Sequence, residues 1–290
     1  MSGFLHQVIS GIATGGIYAS VALALVMIYQ STHHVNFAQG EMATFSTYIA
    51  LTLITVGLPY WLAFTATVVI AFLLGVAIER ILMRQMAGSP VLASVAASIG
   101  LLLIFNALTG AIWGNTTQSF PTPFGGGPPL LGGYVSAHEL GSACVTLMVL
   151  LLVYLLFRHT RLGLALRAAA INPESCRLVG IRVGRMFALG WGLAAAIGAV
   201  AGMMIAPIVF LDPNMMEGIL LYALASALLG GITSPLGAVV GGLVMGVIEN
   251  LAGAYVVGTE LKFTLALVVI VAVLVVRPRG LMGRPLAIRV

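Results

Sequence analysis

The sequence predicts an all-α, polytopic membrane protein with about nine spans, eight to ten depending on where the breaks are drawn. Three observations carry that reading. Hydrophobic residues make up 60% of the 290 and charged residues only 7%, against about 25% charged in an ordinary soluble domain. The apolar residues fall in runs of about 20, the length a bilayer span needs, separated by short polar breaks. The arginines gather in alternate breaks rather than spreading along the chain. So small a charged surface excludes a water-soluble enzyme, a disordered tail and a nucleic-acid-binding domain, despite the net charge of +5.

Taken in order, the spans lie at about 5–29, 37–57, 60–82, 91–112, 138–157, 186–209, 217–233, 236–257 and 261–276. The residues before the first run contain no Lys or Arg. A signal peptide has a basic n-region, so this run reads as a retained first span. Arg80 and Arg84 follow the third span. Arg158, Arg161, Arg167, Arg177, Arg182 and Arg185 lie between the fifth and sixth, and Arg277, Arg279, Arg284 and Arg289 follow the ninth. With the N-terminus outside and the C-terminus inside, every arginine is cytoplasmic, as the positive-inside rule requires. Lys262, the single lysine, is then near the outer face. Only Thr233-Ser234-Pro235 parts the runs at 217–233 and 236–257, which read as two full spans or as one re-entrant pair. A Pro- and Gly-rich stretch at about 113–137 forms the long outer loop, and a charged stretch at about 158–185 forms the long inner one.

Gly11 and Gly15, Gly198 and Gly202, Gly237 and Gly241, and Gly242 and Gly246 pair at helical spacing. Without Cβ atoms at such positions, helix backbones pack closely inside a bundle. The chain also carries a faint symmetry. Span one breaks at His33-His34-Val35-Asn36 before Glu41, and span six breaks at Asp212-Pro213-Asn214 before Glu217. Spans one to four and six to nine then read as inverted repeats around span five, a plan common in transporters.

Several chemistries are missing. A phosphate-binding loop needs Gly-Lys-Ser/Thr, and the one lysine sits in Glu260-Leu-Lys262-Phe. The chain is therefore expected to bind no ATP itself. His33 and His34 are adjacent and diverge on a helix, and Cys144 and Cys176 are far apart, so neither a metal site nor a disulfide is expected.

Within the inner loop, Asn172 suits an N-cap, Pro173 the first helical position and Glu174 the positive helix end. Gly180 suits a C-terminal stop. These predict a helix of about two turns over 173–179, too short to be stable alone in water. It needs support from its own neighbours or from a second protein. The stretch from Gly163 through Arg167, Asn172-Pro173-Glu174 and Gly180-Ile181 resembles the coupling segment of the LivH-type branched-chain amino-acid ABC transporter permeases. Asn36-Phe-Ala-Gln-Gly-Glu41 is similar to that family's Asn-Phe-Ala-x-Gly-Glu motif, with Gln39 where members often carry His. Gly230-Gly-Ile-Thr-Ser-Pro-Leu-Gly-Ala238, followed by Glu249-Asn250, resembles its late glycine-rich motif.

The resemblance covers nearly the whole chain. It implies a single transmembrane permease domain over 1–290, a multi-pass subunit of an importer in the bacterial inner membrane. It also implies two cytosolic ATPase subunits that hold ATP and Mg, a sister permease, and a periplasmic substrate-binding protein. The residues expected to couple to the ATPase are Arg167, Asn172, Pro173, Glu174, Ser175, Cys176, Arg177, Leu178 and Gly180. Cargo of the family extends from branched-chain amino acids to urea and short amides.

Polar residues inside the spans are candidates for the translocation pathway: Asn36, Gln39, Glu41, Asn106, Tyr222, Ser226, Glu249 and Asn250. Asn36 and Gln39 have capping-box spacing, and the same break suits an unwound segment facing a cavity. Asn106, Tyr222 and Ser226 read as interhelical hydrogen-bonding groups. A carboxylate at Glu249 costs about 2.5–3.5 kcal/mol at a span's centre, so it is expected to be protonated against a neighbouring helix or to face water. Glu41 or Glu249 suits the ammonium group of an amino acid, and the helix end after Asn36 its carboxylate. A stand-alone carrier using Glu41 and Glu249 for ion coupling is the rival transporter. A membrane enzyme would need a catalytic cluster that these spacings do not supply.

Overall fold

Each of the nine expected spans coincides with a helix in the computed structural model, which describes residues 2–32, 34–86, 89–125, 136–256, 258 and 261–283. The helices are α1 (Ser2–Thr32), α2 (Gln39–Thr55), α3 (Tyr60–Ile81), α4 (Val91–Trp113), α5 (Ala137–His159), α6 (Arg161–Ile171), α7 (Pro173–Leu178), α8 (Val183–Val209), α9 (Met215–Gly230), α10 (Pro235–Tyr255) and α11 (Lys262–Val276). Among the described residues the extended backbone that pairs is a lone antiparallel bridge between Gln118 and Leu211. The middle of the outer loop, His33, Glu260, Arg284 and Arg289 lie outside the described residues.

Six helices are long and apolar enough to cross a membrane: those within α1, α3, α4, α5, α8 and α10. α2, α9 and α11 have 17, 16 and 15 residues. At 1.5 Å per residue they reach only about 23–26 Å, short of a hydrocarbon core of about 30 Å. Burial differs sharply among the six. The apolar windows of α1 and α8 are 83% and 78% buried, whereas that of α5 is 11% buried. Leu147, Leu151, Leu152 and Leu155 of α5 are exposed. Such faces suit acyl chains as solvent, where leucine costs nothing to expose.

The chain divides into two units. One comprises Met1–Val26, Phe124–Cys144 and Gly218–Val290, and the other Met27–Pro123 and Val145–Glu217. In the first unit the paired glycines of α1 and α10 face each other. A Cβ at Gly11 would meet the backbone of Gly246 and Val247, and one at Gly15 that of Gly242 and Leu243. Gly241 lies against the backbone of Ser226 and Gly230, which brings α9 onto α10. In the second unit, Gly198 of α8 faces Gln39, and Gly202 faces Ala43 and Thr47 of α2. Gly75 of α3 lies against the Trp191 backbone of α8. The ring of Phe45 meets those of Phe105 and Trp113, which joins α2 to α4. The Trp113 Nε1–H donates to Thr52 Oγ1 at 2.8 Å.

The inner segment holds one helix more than expected. α6 starts where Thr160 Oγ1 accepts from the Gly163 N–H at 3.0 Å. A Cβ on Gly163 would strike the Leu156 backbone, so glycine permits this sharp entry from α5. α7 then runs over 173–178 rather than 173–179, with Val179 as its C-cap.

Candidate functional site

α7 is built as its sequence dictates. Asn172 Oδ1 accepts from the Ser175 N–H at 2.9 Å, and Pro173 occupies the first turn. At the far end Gly180 has φ +83°. Its N–H reaches the Arg177 carbonyl at 3.1 Å, and that of Ile181 the Cys176 carbonyl at 2.9 Å. These two bonds form a Schellman stop, which a left-handed glycine permits. Cys176 is buried with Ala169 of α6 and Val183 of α8, with Phe187 and Ile181 packed around them. The short helix is thus held by its own neighbours. Glu174, Ser175, Arg177 and Leu178 are exposed on it, as is Arg167, whose Nε–H leans back on the Gly163 carbonyl at 3.4 Å. Ile171, Leu178 and Val179 are 85%, 88% and 75% exposed, an apolar patch on the most charged segment of the chain.

The break before α2 has a different cap from the one expected. α2 begins at Gln39, and its N-cap residue, Ala38, makes no side-chain bond. Asn36 Oδ1 accepts from the Ala38 N–H at 3.0 Å, an Asx turn rather than a capping box. Gln39 is wholly buried and points away from the cap, its Nε2–H donating to the Ala194 carbonyl of α8 at 3.0 Å. The Asn36 amide also reaches Met42 Sδ at 3.6 Å.

Three of the candidate polar elements meet around Asn106. Its Nδ2–H lies 2.8 Å from Asn214 Oδ1, 3.4 Å from the Pro213 carbonyl and 3.4 Å from Glu41 Oε2. The break at 212–214 and the start of α2 therefore share one asparagine. Glu41 is 5% exposed, and among the described residues no Lys or Arg pairs with it.

Glu249 belongs to another constellation. The Tyr18 O–H donates to its Oε2 at 2.7 Å, and Lys262 Nζ lies 2.9 Å from its Oε1. Its partners are thus a hydroxyl from the neighbouring α1 and the single lysine, from the start of α11. Tyr222 stacks between Tyr18 at 5.0 Å and Phe263 at 5.7 Å. Ser226 and Asn250 are not interhelical bridges. Ser226 Oγ donates to the Tyr222 carbonyl at 2.6 Å and Asn250 Nδ2 to the Gly246 carbonyl at 3.1 Å, each one turn back on its own helix.

A cavity of about 450 Å³ opens in the second unit. Asn36 of the break, Glu79 at the end of α3, Arg84 in the turn after it, Ser98 of α4, Arg177 of α7 and Trp191 of α8 all line it. The Arg84 guanidinium grips Glu79 at 3.1 and 3.4 Å and donates to the Gly184 carbonyl at 2.7 Å, tying α3 to the start of α8. Of these six, sequence reasoning singled out only Asn36 and Arg177. Glu79 and Arg84 gave a signal, opposite charges five apart at the end of a span; Trp191 gave none.

The comparisons with known proteins now bear on these sites. The family described as branched-chain amino acid transport system / permease component matches residues 7–274. The chain is 31% identical to the high-affinity branched-chain amino acid transport system permease protein LivH of Escherichia coli strain K12, over 97% of this chain and 96% of that protein. It is also 31% identical, over the same shares, to the permease protein BraD of Pseudomonas aeruginosa. Identity to a probable LivH permease of Methanocaldococcus jannaschii is 28%, over 91% of this chain and 87% of that protein. No solved structure matches. A family match over nearly the whole length, with relatives of equal span, means that the chain belongs to the family of branched-chain amino-acid transport permease components.

Proposed function

We propose that this chain is a membrane-spanning permease subunit of an ATP-driven importer for branched-chain or related amino acids. The whole of 1–290 acts as one permease domain with nine spans, N-terminus outside, C-terminus inside, and an inverted repeat about α5. It resides in the bacterial inner membrane and binds no cofactor. Two ATPase subunits supply ATP and Mg on the cytoplasmic side, a sister permease completes the pathway, and a binding protein delivers cargo at the 113–137 loop. The named functions of its relatives support this reading: LivH and BraD are permeases of high-affinity branched-chain amino acid transport.

The observation that carries the coupling role is the patch on α6 and α7. A connector has no reason to expose Ile171, Leu178 and Val179 beside Glu174 and Arg177 while being anchored from behind by Cys176. An apolar centre with a charged rim is the composition of a protein interface. The test replaces Leu178 and Val179 together with Ser. Both are solvent-exposed, so the fold should change by no more than about 0.5 kcal/mol. The variant should insert normally yet lose the ATPase on purification, along with hydrolysis stimulated by loaded binding protein. Exchanging the charges of Glu174 and Arg177 should do the same. ATPase retention and uptake equal to wild type in both variants would overturn the coupling assignment.

A further inference from the structure

We infer that the cavity walled by α7 and α8 is a binding site for a single aliphatic α-amino acid, held by its carboxylate. The inference rests on the permease reading and deepens it by naming the cargo's contacts on the arginine-bearing side. The Trp191 indole N–H is the first observation. Trp191 is 2% exposed and lines the cavity, and its Nε1 has no hydrogen-bond partner among the described residues. A buried donor without a partner costs about 1–3 kcal/mol, so a ligand that accepts from it binds with that advantage.

The second observation is charge. Arg84 is committed to Glu79 and to the Gly184 carbonyl. Arg177 also lines the cavity, from α7, and its guanidinium makes no hydrogen bond or ion pair among the described residues. Two guanidinium groups against one carboxylate leave the lining positive, whatever the charge of His34. A site with an excess cation and a free indole donor selects an anionic oxygen group. A carboxylate satisfies both, since a guanidinium presents paired N–H groups to its two oxygens.

The third observation is size and lining. About 450 Å³ is within the range of small-molecule sites, roughly 300–1,000 Å³. Ile28, Val35, Met83 and Phe187 supply the apolar wall for a branched side chain. Glu79, 3% exposed, is the carboxylate there for the ammonium group.

The test measures binding of L-leucine to the full chain in lipid nanodiscs, with L-leucinamide as the probe lacking a carboxylate. Saturable leucine binding is expected, with leucinamide at least about tenfold weaker, the loss of one hydrogen bond to a charged group. Trp191→Phe removes the N–H and leaves a smaller buried ring, which lowers the melting temperature, and Arg177→Gln changes an exposed side chain, which leaves it unchanged. Each should weaken leucine by at least about tenfold. Three results overturn the site: no leucine binding by wild type, equal binding of leucine and leucinamide, or unaltered leucine affinity in both variants. If the wild-type importer still takes up leucine with ATP, the site alone falls. If it takes up no leucine, the permease reading for this cargo falls with it.

Discussion

Glu41 and Glu249 are two of the buried acidic residues, one in each unit, and the structure treats them in opposite ways. Glu249 has a lysine at 2.9 Å and a tyrosine hydroxyl at 2.7 Å. Each of its two oxygens has a partner inside the protein. Glu41 has only the amide of Asn106 at 3.4 Å. A carboxylate in a span is expensive unless paired. The paired one reads as a fastening of α10 to α11 and α1. The other has no cation of its own among the described residues.

The largest effect should come from breaking the balanced pair. Lys262→Met leaves the Glu249 carboxylate buried without its cation, a change that costs about 3 kcal/mol or more. The melting temperature in detergent should fall and monodisperse yield should drop. Adding Glu249→Gln to Lys262→Met removes the orphaned charge and should recover most of the loss. If Lys262→Met melts like wild type, the ion pair is not a structural fastening and the contrast with Glu41 disappears.

This contrast also marks the limit of what the sequence makes legible. Span boundaries are local: apolar runs end where Gly, Pro and charge collect, and every expected run became a helix at nearly its expected ends. The α7 signals are local too, since Asn172, Pro173 and Gly180 each act within four residues. Partners across helices are not. Glu249 and Lys262 are thirteen residues apart on different helices, and Lys262 by itself reads as an outer-face charge. Gln39 has the spacing of a capping-box residue, but the start of α2 moved past Asn36, and the Ala194 carbonyl of α8 competed for its amide. α6 was hidden because its apolar positions, Leu162, Leu166 and Ala169, sit among arginines that read as loop. The unpartnered indole of Trp191 is a property of packing alone.

A smaller effect separates the two ligands of Glu249. Tyr18→Phe removes one hydrogen bond to the carboxylate and keeps the ring. The stack of Tyr18 on Tyr222, with planes 17° apart, should survive. Lys262 still balances the charge, so the loss should be about 1.5 kcal/mol, the lower range for a bond to a charged group. Thermal melting of Tyr18→Phe beside Lys262→Met checks the order. A larger loss in Tyr18→Phe would mean that the hydroxyl, not the ammonium, carries the fastening.

The smallest effect on stability, and the most telling, should come from Glu41→Gln. The side chain keeps its shape, and no cation is orphaned because none pairs with Glu41 among the described residues. Its carbonyl oxygen can still accept from Asn106, so the change in stability should stay within about 1 kcal/mol. The charge, however, is gone. If Glu41 serves the ammonium group of the cargo, ATP-driven uptake by the assembled importer should fall by about tenfold or more while melting is unchanged, the worth of one charge-assisted hydrogen bond. Glu249→Gln gives the reverse pattern, lowering stability because Lys262 loses its partner. Measuring uptake and melting on the same two variants therefore crosses the roles. Equal uptake in wild type and Glu41→Gln would show that the unpaired acid is not a cargo contact, and that the polarity around Asn106 serves only to hold the 212–214 break against α2 and α4.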